Sequence, residues 1–411
     1  MGDHPAAATA LEALDWVVAQ ERPLADGVGW PGVPDDPALP PDLYSGAAGV
    51  VLALLEADAH DGDPRWAEAA AAGARGLAAV APSVTDASLY FGATGLAVAL
   101  DAVGRRLDDP VARAAARECL DRVRAAFDGE RWGDAFDLMG GNAGIALGAL
   151  ALGDTDLALT AVEPYLRTAE TTPYGVTWEN RRGQPSRRHH VSHGTLGIAQ
   201  GIAVTAAATG RDDLRELALA AVADVVARDE SGGGGFLVPH SDPQQLPDRI
   251  DRFSHGWCHG PAGDAQVFRT LVALTGDASW SVLVDRCWTT VLGSGIPERR
   301  RPGFWDNNGR CCGTAGVLAL ALDREVEAGD GTAFAEVLVD DLLARATRDA
   351  EGVRWSNVEH RAERPVLPPR LGWAMGNAGI ARELLRHGRL VTGRDPAYAV
   401  ATPGHPGTVA A

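Results

Sequence analysis

Two kinds of hydrophobic pattern alternate along the chain. GVVLALLEA (from Gly49), GLAVALDAV (from Gly95), GIALGALAL (from Gly144) and GVLALALDR (from Gly316) are apolar nearly all round, as in helices packed on several sides. Between them lie amphipathic stretches such as PRWAEAAAAGARGLAAV (from Pro64) and RDDLRELALAAVADVVAR (from Arg211), whose charges recur on one side. The first kind reads as inner helices and the second as outer, solvent-facing helices.

A Gly-x-x-Gly pair opens each apolar stretch, at Gly46/Gly49, Gly92/Gly95, Gly141/Gly144, Gly194/Gly197, Gly260/Gly263, Gly313/Gly316 and Gly376/Gly379. Successive first glycines are 46 (Gly46 to Gly92) to 66 (Gly194 to Gly260) residues apart, room for two helices and two loops. Seven such units predict an all-α chain with two concentric layers of seven helices. The whole of 1–411 reads as one domain, with repeats starting near 42, 88, 137, 190, 256, 309 and 372. A glycine near each inner helix start lets the chain turn tightly and lets helix ends approach closely, which is first of all a packing role. Irregular stretches remain at 22–42, 181–192 and 231–256, and 394–411 reads as a disordered tail. The two middle stretches directly precede repeats four and five, where mobile loops would flank a site.

If every repeat begins at the same end of the barrel, residues just before each glycine pair line one rim. Asp137 lies four positions before Gly141, His193 directly before Gly194, Cys258 two positions before Gly260, and Cys311 and Cys312 directly before Gly313. Three converging thiols suggest one Zn²⁺ with its fourth, catalytic position open. His259, directly after Cys258, is the contender for closing that position. Cys119 and Cys287 sit inside helical patterns away from this register and read as buried thiols. A lone histidine such as His193 is commonly a satisfied polar residue, but its place beside the thiols favours a chemical role. Asp42 stands in the same register as Asp137, so a capping role explains both; only Asp137, in the repeat next to His193, also suits an orienting or proton-transfer role. His255, Trp257 and His259 are placed to reach a substrate, with packing the stronger reading for the tryptophan.

The 411 residues, 46% hydrophobic and 22% charged, support a large core. A formal charge of −18 would repel a phosphate backbone, so nucleic acid is not expected as a partner. All 37 basic residues are arginine, from which no function follows. RRGQPSRR (from Arg181) concentrates four of them just before repeat four, a candidate contact for an acidic leader segment or partner enzyme beside the simpler reading of a solvated loop. No export signal and no integral membrane segment are legible, and five scattered cysteines do not form a disulfide framework, so a cytoplasmic location is expected.

The strings SHGTLGI (from Ser192), WCHGPAG (from Trp257) and CCGTAGV (from Cys311), in this order on a seven-fold helical repeat, resemble the lanthionine synthetase C-like family over nearly the whole chain. That resemblance implies a single-domain α/α toroid with seven inner and seven outer helices and one zinc per chain. It maps the metal ligands onto Cys258, Cys311 and Cys312, the proton-transfer histidine onto His193 and its acidic neighbour onto Asp137. Most of the family has Cys-His where this chain has Cys311-Cys312, so the resemblance is to its three-cysteine type. A third thiolate adds electron density to the metal, so a substrate thiolate should be held less tightly and attack more readily.

The implied activity is a zinc-dependent lanthipeptide cyclase, adding peptide cysteine thiols to dehydroalanine or dehydrobutyrine to form thioether rings. Its partners would be a precursor peptide and separate dehydratase or kinase-lyase enzymes, since the repeat begins by residue 42. One alternative is addition of a glutathione-type thiol to dehydrated residues. Another is a non-catalytic zinc scaffold, which a fourth protein ligand such as His259 would favour. A sugar-cleaving or prenyl-transfer enzyme on a similar double layer is disfavoured by the three-thiol register.

Overall fold

Helix signals in the sequence are met one by one in the computed structural model, which describes residues 4–406. Among the described residues there are fourteen α-helices: α1 Pro5–Val18, α2 Ala47–Asp61, α3 Pro64–Val80, α4 Ala93–Arg106, α5 Pro110–Ala125, α6 Asn142–Ala151, α7 Thr155–Thr168, α8 Thr195–Thr209, α9 Asp212–Val226, α10 Pro261–Thr275, α11 Ser279–Gly293, α12 Thr314–Ala328, α13 Thr332–Arg345 and α14 Asn377–Val391. Asp63 caps α3 by accepting the Arg65 N–H at 3.0 Å, and Asp154 caps α7 through Leu157 N–H at 2.9 Å. Gly210 and Gly276 end α8 and α10 in the left-handed conformation, φ 66° and 67°, which glycine adopts without steric cost. No helix among the described residues is long and apolar enough to cross a membrane.

The chain forms two compact units, one of Met1–Val84, Gly95–Cys119 and Gly295–Val400, the other of Thr85–Thr94, Leu120–Ser294 and Ala401–Ala411. In the first, α2 and α12 are buried along most of their length, whereas α3 and α13 bury one face. In the second, α6 and α8 are buried and α7 and α9 are one-faced. The expected alternation is therefore present. Two-residue strands Arg187–Arg188 and Ser241–Asp242 pair antiparallel and tie together the two long loops of the second unit.

α14 departs from the apolar pattern, because it buries Arg382, Glu383, Arg386 and Arg389. Buried charges need partners, and these find them in Glu56 of α2, Asp323 of α12 and the segment that follows α14. Arg386 donates to the Pro396 carbonyl at 2.9 Å, and Arg389 to those of Asp395 and Ala397 at 3.0 Å. Tyr398 lays its ring 3.9 Å from the Arg386 guanidinium and donates to Glu383 at 2.8 Å. In the second unit, the Gly404 carbonyl accepts from Gln200 at 2.7 Å and Gln266 at 3.1 Å. Of the tail expected to be disordered, 394–406 thus carries these bonds, and 407–411 lies outside the described residues.

Candidate metal centre and proton-transfer pair

The turns that open the buried helices share one hydrogen-bond register. With the first glycine of each pair as position 0, its N–H bonds to the carbonyl at −4, as in Gly46 to Asp42 and Gly194 to His190. The residue at +1 bonds to −6, as in Ala47 to Pro40, Ala93 to Asp86 and Thr314 to Asn307. A Cβ on Gly46 would stand 1.9 Å from the Pro40 carbonyl oxygen, and one on Gly263 1.8 Å from that of Trp257. The glycines are therefore needed for close approach, not for a left-handed φ.

Position −2 links turn to turn. In the second unit Tyr90 N–H donates to the Met139 carbonyl at 3.2 Å, Met139 to Ser192 at 3.2 Å, and Ser192 to Cys258 at 3.3 Å. In the first, Cys311 donates to Ala374 at 2.8 Å and Ala374 to Tyr44 at 2.9 Å. Cys258 and Cys311 thus occupy equivalent, buried rungs, whereas Cys312, His193 and His259 occupy position −1, where every residue keeps solvent exposure.

None of the five cysteines is joined in a disulfide. Cys258, Cys311 and Cys312 form a group that could hold a metal ion, and the sulfurs of Cys311 and Cys312 are 3.3 Å apart. Zinc–sulfur bonds of about 2.3 Å in a tetrahedron separate sulfurs by roughly 3.8 Å, so the Cys311–Cys312 pair suits one Zn²⁺ after small side-chain adjustments, and thiolates are the donors zinc takes. Among the described residues this metal-ligand group comprises the three thiols, and His259 is not in it. Cys119 and Cys287 are fully buried, and burial pushes the Cys287 thiol well above its ordinary pKa.

Asp137 Oδ2 lies 2.7 Å from Nδ1 of His193, and its Oδ1 accepts the Gly140 N–H at 2.8 Å. Asp42 repeats the second contact with Ser45 N–H at 2.6 Å. The turn-capping role is shared by both aspartates, and Asp137 adds the histidine contact. A carboxylate at Nδ1 fixes the tautomer that leaves Nε2 as the basic nitrogen.

The sequence pattern of the family described as lanthionine synthetase C-like protein matches residues 37–249 and 244–338, well over half of the chain. The chain belongs to the lanthionine synthetase C-like family. Its fold is similar to that of nisin cyclase, an α/α toroid, with a TM-score of 0.64 at 16% identity over 87% of this chain and 90% of the other. It is also similar to an unsaturated glucuronyl hydrolase specific for heparin, with a TM-score of 0.53 at 12% identity over 95% of this chain and 97% of that one. Among curated proteins none matches the sequence.

In this lanthionine synthetase C-like protein the remaining site candidates lie among histidines. The His259 ring centroid is 4.2 Å from that of His240 and 5.7 Å from that of His193, on which it stacks. Burial holds His259 well below the ordinary imidazole pKa, reinforced by its histidine neighbours, and lowers His240 to about 3 for the same reasons. His255 is lowered by burial alone. These rings are neutral at pH 7. Trp257 is buried, with its indole N–H 3.0 Å from Gln266 Oε1.

His240, contributed by the 231–256 loop, and the buried His190–Asp264 pair, 2.7 Å apart, were not singled out by sequence, because neither belongs to the −1 or −2 register. Tyr44 does belong to it, and its hydroxyl lies 3.6 Å from Cys311 Sγ. The basic loop is less free than its composition suggests. Arg187 forms two 2.7 Å bonds with Glu170, Arg182 pairs with Asp128 at 3.1 Å, and Arg188 bonds to Gln245 at 2.9 Å.

Proposed function

We propose that the protein is a zinc-dependent cyclase that joins cysteine thiols of a precursor peptide to its dehydroalanine or dehydrobutyrine residues. The observation that carries this reading is the three-thiol group at equivalent turns of a lanthionine synthetase C-like chain. Cys258, Cys311 and Cys312 would hold the metal. Zinc bound there supplies thiol activation, lowering the pKa of a peptide cysteine from about 8.5 so that it reacts as thiolate.

His193, oriented by Asp137, handles the proton. The thiol sulfur forms a bond to the β-carbon, the carbon–carbon π pair moves towards the α-carbon and its carbonyl, and a proton is delivered to the α-carbon. Nε2 of His193 either accepts the thiol proton or returns it, so net composition is unchanged. His255, Trp257 and His259 are proposed to border the peptide. Separate dehydratase or kinase-lyase enzymes would supply the dehydrated substrate, in a cytoplasmic setting.

The test is incubation of the zinc-loaded protein with a dehydrated peptide that retains free cysteines, followed by thiol alkylation and mass measurement. Loss of alkylatable thiols without added mass is the expected result. Thiols consumed no faster than in buffer would refute the cyclase reading. An adduct heavier by one glutathione, formed when that thiol is supplied, would replace it with intermolecular addition.

A further inference from the structure

We propose that Tyr44 is a positioning residue for the metal, acting through the sulfur of Cys311; this rests on the zinc reading above. The Tyr44 hydroxyl lies 3.6 Å from Cys311 Sγ, within hydrogen-bond reach of sulfur. The backbone fixes both ends of this contact. Cys311 N–H donates to the Ala374 carbonyl at 2.8 Å and Ala374 N–H to the Tyr44 carbonyl at 2.9 Å, so the two residues stand two rungs apart on one ladder. The intervening rung carries only a methyl group, which leaves room for a phenol to reach across.

The backbone of Cys258 is anchored as well. Its carbonyl accepts both the N–H and the hydroxyl of Ser192, at 3.3 and 2.7 Å. At Cys311 a donor acts on the sulfur itself, in surroundings where that residue is only 3% exposed. A phenol O–H donating to a buried thiolate spreads the anion's charge and restricts the sulfur's rotation. Three thiolates around one divalent cation make an electron-rich centre. The Tyr44 bond draws some of that density back, leaving the metal a stronger acceptor for the incoming peptide thiol. It also offsets part of the effect of having a cysteine, rather than a neutral ligand, at position 312.

Tyr44→Phe removes the hydroxyl and keeps the ring, so it separates the bond from packing. Wild type and variant are loaded with Co²⁺ and examined by absorption spectroscopy, and their zinc affinities are measured against a competing chelator. The expected result is one cobalt per chain in both, a sulfur-to-cobalt charge-transfer band moved to longer wavelength in the variant, and zinc affinity lower by about tenfold. A band at the wild-type position with unchanged affinity overturns the inference and leaves the zinc site standing. An affinity lowered equally in Tyr44→Phe and Tyr44→Leu, with no band shift in the former, also overturns it, because the tyrosine then acts by packing. Absence of any sulfur-to-cobalt band in the wild type would refute the three-cysteine metal site itself, and this inference with it.

Discussion

Asp137 serves His193 and its own turn with different oxygens, Oδ2 at 2.7 Å from His193 Nδ1 and Oδ1 at 2.8 Å from Gly140 N. Asp137→Asn keeps an acceptor for Gly140 but turns an amide donor towards the imidazole, favouring the tautomer with the proton on Nε2. Cyclisation should slow by about 10² to 10⁴ while the melting temperature stays close to wild type. Asp137→Ala should slow the reaction similarly and also cost about 1 kcal/mol of stability through the lost turn contact. An Asn variant with full activity would reduce Asp137 to a turn residue.

His193→Ala should fold normally and keep its zinc, because His193 is not among the three grouped thiols. Its rate of ring formation should fall by about 10² to 10⁴, the usual contribution of a placed acid or base. Metal analysis beside a thiol-alkylation time course checks both halves. If zinc is lost with the imidazole, His193 is a ligand.

Cys258→Ala, Cys311→Ala and Cys312→Ala should each lower the zinc content of the purified protein below one per chain, since losing one of three ligands weakens the whole site. Cys119→Ala and Cys287→Ala alter buried thiols outside the group and should leave metal content unchanged. Full occupancy in all three site variants would remove the ligand assignment.

Acid should destabilise the zinc-free protein before its carboxylates titrate. Buried His189 and His240 are lowered to about 4 and about 3 in the folded chain, against about 6.5 when unfolded. Between those values the unfolded state binds more protons, so their full contribution to stability is present above pH 6.5 and is lost as pH falls towards 4. Each contributes a slope of at most about 1.4 kcal/mol per pH unit. Urea unfolding at pH 7.5 and 5.5 should show the difference, and His240→Asn should make it smaller. Equal stability at both pH values would contradict the neutral, buried assignment.

Much of the fold was legible because the seven glycine pairs mark a steric requirement that recurs at every turn. The same register places Cys258, Cys311, Cys312 and His193 at positions −2 and −1 from the sequence alone. Long-range contacts were not legible. Tyr44 lies 267 positions before Cys311, and only the rung-by-rung bonding shows that one can reach the other. His240 sits in an irregular stretch with no periodicity to place it. The buried arginines of α14 resemble those of a surface helix in sequence, because their partners come from α2, α12 and the segment after α14.

Deleting residues 395–411 should destabilise the protein strongly. Arg386 and Arg389 would lose the carbonyls of Pro396, Asp395 and Ala397, and each buried donor left without an acceptor costs about 1–3 kcal/mol. A lower melting temperature or an insoluble product is expected. Deletion without effect would mean that water replaces those carbonyls.

The same contacts set a timetable for synthesis. Glu56 is translated early, yet its oxygens accept the Ala399 N–H at 3.2 Å, from a residue 343 positions later. Nascent domains usually settle from the amino end while translation continues. Here α2 and α14 bury carboxylates and guanidinium groups whose last partners, in residues 395–399, are translated after both helices. The first unit is therefore completed only once residues 395–400 have been made, and a fusion placed beyond them would have to leave that stretch free to dock.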